Sequence, residues 1–176
     1  MRILHTEASC GWGGQEIRIL EESRGLIGRG HEVTVACPAH ARMMAEAPRF
    51  GVPVVSLPIE FKTVAGFRAL RCHLANHVPD VVNTHSSRDG WLLGIAARLA
   101  RTPLLIRSRH IDVSYRVPSV SKHAFTTFAD HVLTTSDKIT THLQSLFPIA
   151  NEDITTLPTG IDVSAFHPEG TKAALP

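Results

Sequence analysis

A glycine-rich loop near the amino terminus has the residue types that bind phosphate. In this chain of 176 residues, Gly13 and Gly14 stand just before Glu16, between an apolar run and a helix-like segment. Adjacent glycines let backbone N–H groups approach a ligand closely, and a helix start adds partial positive charge. The simpler alternative is a flexible turn in which Glu16 only complements the helix dipole. We favour ligand binding.

The loop departs from two known nucleotide-binding patterns. No Gly-Lys-Ser/Thr follows it, so it is not a Walker A loop. Gly11-Trp12-Gly13 begins like a GxGxxG fingerprint, but Glu16 stands where the third glycine belongs. The second strand-like run ends at Cys37-Pro38 without an acidic residue. An NAD-dependent enzyme is therefore disfavoured.

A second group of polar residues follows a later apolar run. Arg107, Arg109 and His110 lie together at the end of a predicted strand. Such a dense positive cluster suits phosphate or an anionic sugar. The alternative is a set of ion pairs with Asp89 or Asp112. The position at the carboxyl end of a strand favours binding.

A third polar loop contains His85 and Arg88. It follows the short apolar run 81–84, so His85 would face a cleft at the carboxyl edge of a sheet. Alternatively, Ser87 or Asp89 only caps the next helix.

The spacing of cysteine and histidine predicts neither a metal site nor thiol catalysis. The cysteines are Cys10, Cys37 and Cys72, an odd number without a CxxC motif, and the eleven histidines lack HExxH spacing. No His/Asn arrangement for a Cys10 nucleophile is legible. We expect no metal, no cofactor, no disulfide framework and a reducing compartment.

Strand-like and helix-like segments alternate along the chain. The predicted strands are 2–6, 31–37, 52–57, 81–84, 103–107, 131–135 and 153–157. The predicted helices are 15–29 with a cap at Gly30, 39–50, 64–77, 89–100, 121–129 and one that starts at Ser136-Asp137 and ends before Pro148. This alternation predicts an α/β fold, a doubly wound, Rossmann-like parallel sheet with helices on both faces.

Composition limits the possible partners. Hydrophobic residues make up 43% and charged residues 19%, which argues against disorder, and the net charge of +2 is too small to indicate nucleic acid. The amino terminus lacks the apolar segment of a signal peptide, and no apolar run reaches transmembrane length, so we expect a cytoplasmic protein. Apolar and basic residues in loops 57–61 and 111–120 leave a peripheral membrane contact open.

The carboxyl-terminal stretch predicts a domain boundary. Leu157-Pro158-Thr159-Gly160-Ile161-Asp162 reads as a strand end and a tight turn, and Phe166-His167-Pro168 as a rigid exit. We expect one domain over 1–168 and the start of a linker at 169–176, with a further domain beyond.

Several of these stretches, in order, resemble the amino-terminal domain of GT-B glycosyltransferases of the retaining family 4. The matching segments are Gly13-Gly14-Gln15-Glu16, Gly28-Arg29-Gly30-His31 with Val33 and Val35, Pro79 to His85, Thr102 to His110, and Leu157 to Asp162 with Phe166 and Pro168. Each motif is weak alone, and their order and spacing are specific. The match runs over nearly the whole chain.

The resemblance implies two doubly wound domains that face each other across a cleft. The amino-terminal domain would hold the acceptor, and a carboxyl-terminal domain, absent here, would hold the nucleotide sugar. His110 matches the family histidine that faces the transferred sugar, which implies a catalytic role. The implied substrate-binding residues are Gly13, Gly14, Glu16, His85, Arg88, Arg107 and Arg109.

The implied reaction transfers a sugar from a nucleotide-diphosphate sugar to a saccharide or lipid-linked acceptor, without a metal, in bacterial surface polysaccharide or lipopolysaccharide synthesis. The whole protein would act as a hexosyltransferase type of enzyme, peripheral to the inner membrane if its acceptor is lipid-linked. Three features depart from the family. Thr159 replaces the usual Asn, the Arg107 and Arg109 pair is not general, and the Glu-x7-Glu element of the carboxyl-terminal domain is missing. A stand-alone module that binds an anionic sugar or nucleotide, and an epimerase on the same scaffold, stay open.

Overall fold

Seven parallel strands form one sheet in the computed structural model, which describes residues 1–161. The strands are β1 Arg2–Thr6, β2 Glu32–Cys37, β3 Val54–Ser56, β4 Val81–Thr84, β5 Leu104–Arg109, β6 His131–Thr134 and β7 Ile154–Thr156. Their order across the sheet is β3-β2-β1-β4-β5-β6-β7, and every neighbouring pair is parallel. The predicted α/β, doubly wound fold is confirmed. Asp162, Phe166, Pro168 and the predicted linker lie outside the described residues.

Within residues 1–161, seven α-helices connect the strands. They are α1 Gly14–Ile27, α2 Arg42–Glu46, α3 Val64–His77, α4 Ser87–Ala100, α5 Pro118–Ser121, α6 His123–Thr126 and α7 Asp137–Leu146. The predicted bounds of α3 and β4 match the structure residue for residue. Their ends are marked locally, because the Thr63 side chain caps α3 by accepting a hydrogen bond from the Gly66 N–H.

Two predicted helices are shorter or divided in the structure. The predicted helix 39–50 is α2 followed by a 3₁₀ turn, Ala47–Phe50, because Pro48 stands at the start of that turn and lacks the N–H that an α-helix needs. The predicted helix 121–129 is instead the pair α5 and α6, and α5 begins at Pro118.

The predicted cap of the first helix was wrong by two residues. The helix α1 ends at Ile27, and its cap, Gly28, keeps right-handed angles. Gly30, with φ +82°, takes the left-handed conformation instead, and its N–H donates to the Ile27 carbonyl over 2.9 Å. The glycine therefore turns the chain out of the helix rather than capping it.

Apolar side chains fill both faces of the sheet. On one face Leu4, Val82 and Leu105 pack with Leu70 of α3 and Leu93 of α4. On the other face a second cluster packs α1 and α2 against the sheet through Ile19, Leu20, Val35 and Met43. Because side chains alternate along a strand, neighbouring residues of β1 face opposite layers.

The chain reverses its direction across the sheet between β3 and β4. β1 and β2 run outward to β3, and β4 then returns to the other side of β1. The loops after β1 and β4 therefore leave the sheet in opposite directions and open a crevice at its carboxyl edge. Such switch points are where doubly wound sheets bind ligands.

Candidate functional site

A column of three histidines crosses the switch point. His5 is in β1, while His85 and His110 directly follow β4 and β5. His5 Nδ1 lies 2.9 Å from His85 Nε2, and His85 Nδ1 lies 2.8 Å from His110 Nε2. The rings also stack, with centroids 5.2 and 5.1 Å apart. Parallel neighbouring strands bring these residues side by side at one edge.

Burial keeps the column uncharged at neutral pH. His5 and His85 are each 1% exposed. Loss of hydration lowers the pKa of His5 to about 4 and that of His110 to about 3, and it holds the pKa of His85 well below its usual value. The positive charge of Arg18 further lowers the pKa of His110.

Hydrogen bonds between the neutral imidazoles connect the two ends of the column. Each ring carries one N–H, so the rings donate in sequence either from His5 to His110 or from His110 to His5. His110 Nδ1 and His5 Nε2 are the two end nitrogens, and neither has a hydrogen-bond partner among residues 1–161. The column therefore presents His110 Nδ1 as a donor in one order and as an acceptor in the other.

Asp89 holds the loop that contains His85. One carboxylate oxygen accepts hydrogen bonds from the Thr6 hydroxyl over 2.7 Å and from the His85 N–H over 3.0 Å. The other accepts from the N–H and hydroxyl of Ser86, which completes a capping box at the start of α4. The cap residue is thus Ser86, one position before Ser87, and α4 begins two residues before its predicted start.

Arg107 and Arg109 turn into the protein rather than towards the cleft. Arg107 is 2% exposed and lies 3.8 Å from the Asp89 carboxylate, and its guanidinium donates to the Ser86 carbonyl. Arg109 is 8% exposed and stacks over the Tyr115 ring. The alternative interpretation of ion pairing with Asp89 therefore describes Arg107.

The other predicted ion-pair partner, Asp112, lies elsewhere. Its carboxylate accepts a hydrogen bond from His142 and lies 3.5 Å from the Lys138 ammonium, both on α7. The imidazole and the ammonium hold the pKa of Asp112 below its usual value. This carboxylate joins the loop after β5 to α7 and is not part of the arginine pair.

The fold of the loop does not itself require glycine at positions 13 and 14. Gly13 caps α1 with extended backbone angles, which any residue adopts. A Cβ on Gly14 would meet nothing within 4 Å, and one on Gly13 would come no closer than 3.6 Å to the Glu16 carboxylate. Glu16 itself is buried in the first turn of α1, where its charge complements the helix dipole. The space beside both glycines is open to a ligand.

A buried acid lies under the same loop. Glu7 is fully buried after β1, and its carboxylate accepts hydrogen bonds from the Ser9 N–H and the Gln15 amide. Burial raises the pKa of Glu7 to about 7, and the charge of Asp89 adds to the shift. Glu7 is thus poised between its two protonation states near neutral pH.

Arg88 borders a cavity of about 370 Å³ at the carboxyl edge of the sheet. The other lining residues are Ser9, Cys10, Glu60, Ser86 and Ser87. A hydrogen bond holds the Arg88 side chain in place, because its Nη1 donates to the Glu60 carbonyl over 3.0 Å. The structure therefore places Arg88 on the cavity wall, beside the loops after β1, β3 and β4.

Arg18 connects the last described residues to helix α1 by hydrogen bonds. From α1 it donates to the Thr159 hydroxyl over 2.7 Å and to the Leu157 carbonyl over 2.8 Å. Thr159 is the residue that departs from the family hinge pattern, and its hydroxyl supplies one of these acceptors. The motif after β7 is thereby attached to the glycine-loop helix.

The structure brings together some of the predicted residues and adds others. His85 and His110 are in contact at the switch point, and the glycine loop follows β1 at the same edge of the sheet. Arg88 lines a cavity at that edge. Sequence reasoning missed His5 and Arg18. A polar residue inside the apolar run 2–6 was a visible signal for His5, whereas the contact from Arg18 to Thr159 spans 141 positions and left no local signal.

The chain belongs to Glycosyltransferase Family 4, whose model matches residues 12–165. It is thus a glycosyltransferase-type GT-B domain, and the resemblance noted in the sequence motifs is confirmed. Among curated proteins, none matches the chain significantly by sequence.

Solved structures share the fold at low identity. The HepE protein of Anabaena in complex with UDP-glucose is 19% identical over 93% of this chain and 45% of that chain, with a TM-score of 0.77. The lipopolysaccharide outer core galactosyltransferase WaaB is 17% identical over 93% and 47%, with a TM-score of 0.69. A UDP-GlcNAc 2-epimerase from Neisseria meningitidis, bound to UDP-GlcNAc, is 14% identical over 89% and 46%, with a TM-score of 0.69.

The chain spans about half the length of these solved proteins. Within residues 1–161, none of the helices combines the length and the apolar character needed to cross a membrane.

Proposed function

We propose that this chain is the acceptor-side half of a retaining glycosyltransferase. The complete protein would move a hexose from a nucleotide-diphosphate sugar to a saccharide or lipid-linked acceptor. The observation that carries the proposal is the position of His110, which ends the histidine column of a family 4 domain at the same edge of the sheet as the glycine loop. Domain 1–168, followed by a linker from 169, would face a nucleotide-sugar domain across the cleft.

The chemistry of His110 follows from its environment. Its pKa of about 3 keeps the imidazole neutral at physiological pH, so it would act through a hydrogen bond to the transferred sugar rather than through charge. The chain of His5 and His85 behind it fixes the ring, whose buried Nδ1 has no hydrogen-bond partner among residues 1–161. Orientation of a bound sugar is a recognised source of rate enhancement.

The glycine loop would serve the departing diphosphate or the acceptor. Gly13 and Gly14 leave open space at the amino terminus of α1, where backbone N–H groups and the helix dipole favour an anion. Preorganised donors of this kind stabilise charge that develops in a transition state. Closure of the second domain would exclude water and limit donor hydrolysis.

A role in bacterial surface polysaccharide or lipopolysaccharide synthesis fits the similarity to WaaB. The exposed apolar residues Phe61, Ile111, Val117 and Val120 would bring the protein to a lipid-linked acceptor at the membrane, on its cytoplasmic side.

The test is a transfer assay on the protein encoded by the complete gene, including any sequence after Pro176. A panel of UDP-sugars, beginning with UDP-glucose, would be offered with saccharide acceptors, and NMR would report the anomeric configuration of the product. We expect retention. Inversion would refute the retaining mechanism, and sugar epimerisation without transfer would indicate an epimerase.

The role of His110 has its own variant and control. We expect His110→Ala to lower kcat by about 100-fold or more, in the range that positioned catalytic groups contribute. His77→Ala is the matched control, because His77 is exposed at the last turn of α3. Equal activities in the two variants would remove His110 from the mechanism.

A further inference from the structure

Three side chains distant in sequence converge beside the cavity at the carboxyl edge. They are the thiol of Cys10, the imidazole of His40 and the carboxylate of Glu60, from the loops after β1, β2 and β3. Cys10 Sγ and Glu60 Oε2 each lie 3.2 Å from His40 Nε2. One ligand atom from each of the three residues lies within 4.8 Å of the other two.

The geometry differs from that of a catalytic thiol. In a nucleophile relay, the imidazole engages the thiol through one ring nitrogen and the orienting carboxylate through the other. Here both partners face the same atom, His40 Nε2. A single nitrogen carries at most one proton, so it serves one of the two partners at a time. A cation at the common centre contacts all three.

We propose that Cys10, His40 and Glu60 form a Zn²⁺ site with one open coordination position. Zinc binds thiolate, imidazole and carboxylate at about 2.0–2.3 Å, which matches this mixed set of sulfur, nitrogen and oxygen donors. The thiolate disfavours Mg²⁺ and Ca²⁺, which select oxygen ligands. Three protein ligands leave the fourth tetrahedral position free for water or a ligand oxygen.

The proposed site adjoins a cavity lined largely by polar residues. Cys10 and Glu60 both line the cavity of about 370 Å³, together with the hydroxyls of Ser9, Ser86 and Ser87. A hydroxyl or phosphate oxygen of a molecule in this cavity would reach the zinc. The site stands on these contacts alone and is independent of the transferase proposal.

Neighbouring charges are compatible with a cation. Arg88 lies closest among the positive groups, but its Nη1 donates to the Glu60 carbonyl and its guanidinium lies over the Phe61 ring at 5.9 Å. Glu7 lies beneath the loop, and its pKa of about 7 leaves its carboxylate only partly ionised at neutral pH. The cluster therefore has one ionised carboxylate, Glu60, and a partly ionised one beside one arginine.

The site is discontinuous in sequence, which explains why motif spacing predicted no metal. Ligands at positions 10, 40 and 60 belong to three separate βα loops, so no short pattern such as HExxH connects them. Only the parallel order of β1, β2 and β3 brings the loops to one edge.

Cobalt titration of the metal-free 176-residue chain tests the proposal. Co²⁺ replaces zinc and reports a thiolate ligand by its near-ultraviolet charge-transfer band. We expect one equivalent to bind with this band, and Zn²⁺ to displace it. Cys10→Ser should abolish the band, whereas Cys72→Ser, which changes an exposed thiol on α3, should leave it intact.

A second variant separates metal binding from folding. His40 is largely exposed, so His40→Gln should keep the native far-ultraviolet circular dichroism while weakening zinc at least about 100-fold. That estimate exceeds the usual effect of losing only an outer partner of a metal ligand. A chain that takes up no stoichiometric cobalt, or a thiolate band that survives Cys10→Ser, would overturn the site.

Discussion

At the scale of single residues, a substitution in the glycine loop distinguishes a binding role of the loop from a structural one. Gly14 takes ordinary helical angles in open space, so Gly14→Ala should leave stability unchanged or raise it by up to about 1 kcal/mol. If the loop binds diphosphate or acceptor, the methyl group should lower transfer by at least about tenfold. Thermal unfolding and the transfer rate of the complete enzyme measure the two effects.

Gly94→Ala is the matched control for this substitution. Its Cβ would lie 2.7 Å from Phe128 Cβ, so we expect a loss of about 1–3 kcal/mol from overpacking. A Gly14→Ala enzyme with full activity would show that the loop is only a turn.

The buried histidines make stability depend on pH. Burial lowers the pKa of His5 from 6.5 to about 4, so between these values the unfolded chain binds a proton that the folded chain rejects. Stability therefore falls as the pH decreases through this window. Glu7, with its pKa raised to about 7, opposes the trend, because its folded form takes up a proton between pH 7 and 4.5.

The substitution His5→Gln removes the contribution of His5 to this pH dependence of stability. We expect the loss of unfolding free energy between pH 7 and 4 to shrink by up to about 3 kcal/mol, from a pKa shift of about 2.5. Urea unfolding across this pH range measures it, with His77→Gln as the exposed control. Parallel curves for wild type and His5→Gln would mean that His5 does not titrate abnormally.

At the scale of elements, Asp89 joins three of them. Its carboxylate caps α4, binds Thr6 of β1 and pairs with Arg107 of β5. Asp89→Ala leaves a buried guanidinium without its counter-charge, so we expect a loss of about 3–5 kcal/mol. The ordinary cap Ser136→Ala on α7 should cost about 1 kcal/mol.

Chemical denaturation compares the two caps directly. Equal losses would show that the Asp89 carboxylate acts as a helix cap alone. A larger loss for Asp89→Ala, accompanied by lower transfer activity, would show that the same carboxylate also positions the backbone of His85.

At the scale of the whole molecule, we expect the 176-residue chain to fold by itself without catalysing sugar transfer. The described residues build a complete sheet with apolar clusters on both faces. We therefore expect the 176-residue chain to unfold cooperatively and to show no sugar transfer. Sugar transfer by this chain alone would contradict the proposed division of the active site between two domains.

How much the sequence predicted depends on the range of the interaction. The apolar alternation and the glycine and proline signals are local, and they predicted all seven strands and the parallel α/β class. The resemblance of ordered motifs, not the alternation, indicated the family. The predicted helix ends were less accurate where a turn sets the last residue of the helix. Gly28 rather than Gly30 caps α1, because the sequence does not show which of two nearby glycines ends the helix and which takes the left-handed turn.

The sequence by itself determined which residues stand at the carboxyl edge, because each parallel strand must end there. It placed His85, His110, Arg88 and the glycine loop at that edge. Only the tertiary structure decided which of them touch. Strand order set His5 beside His85, and the packing of Asp89 turned Arg107 inward. Such contacts join different strands and helices of the fold. They depend on the register between strands and the filling of the core, which no local pattern encodes.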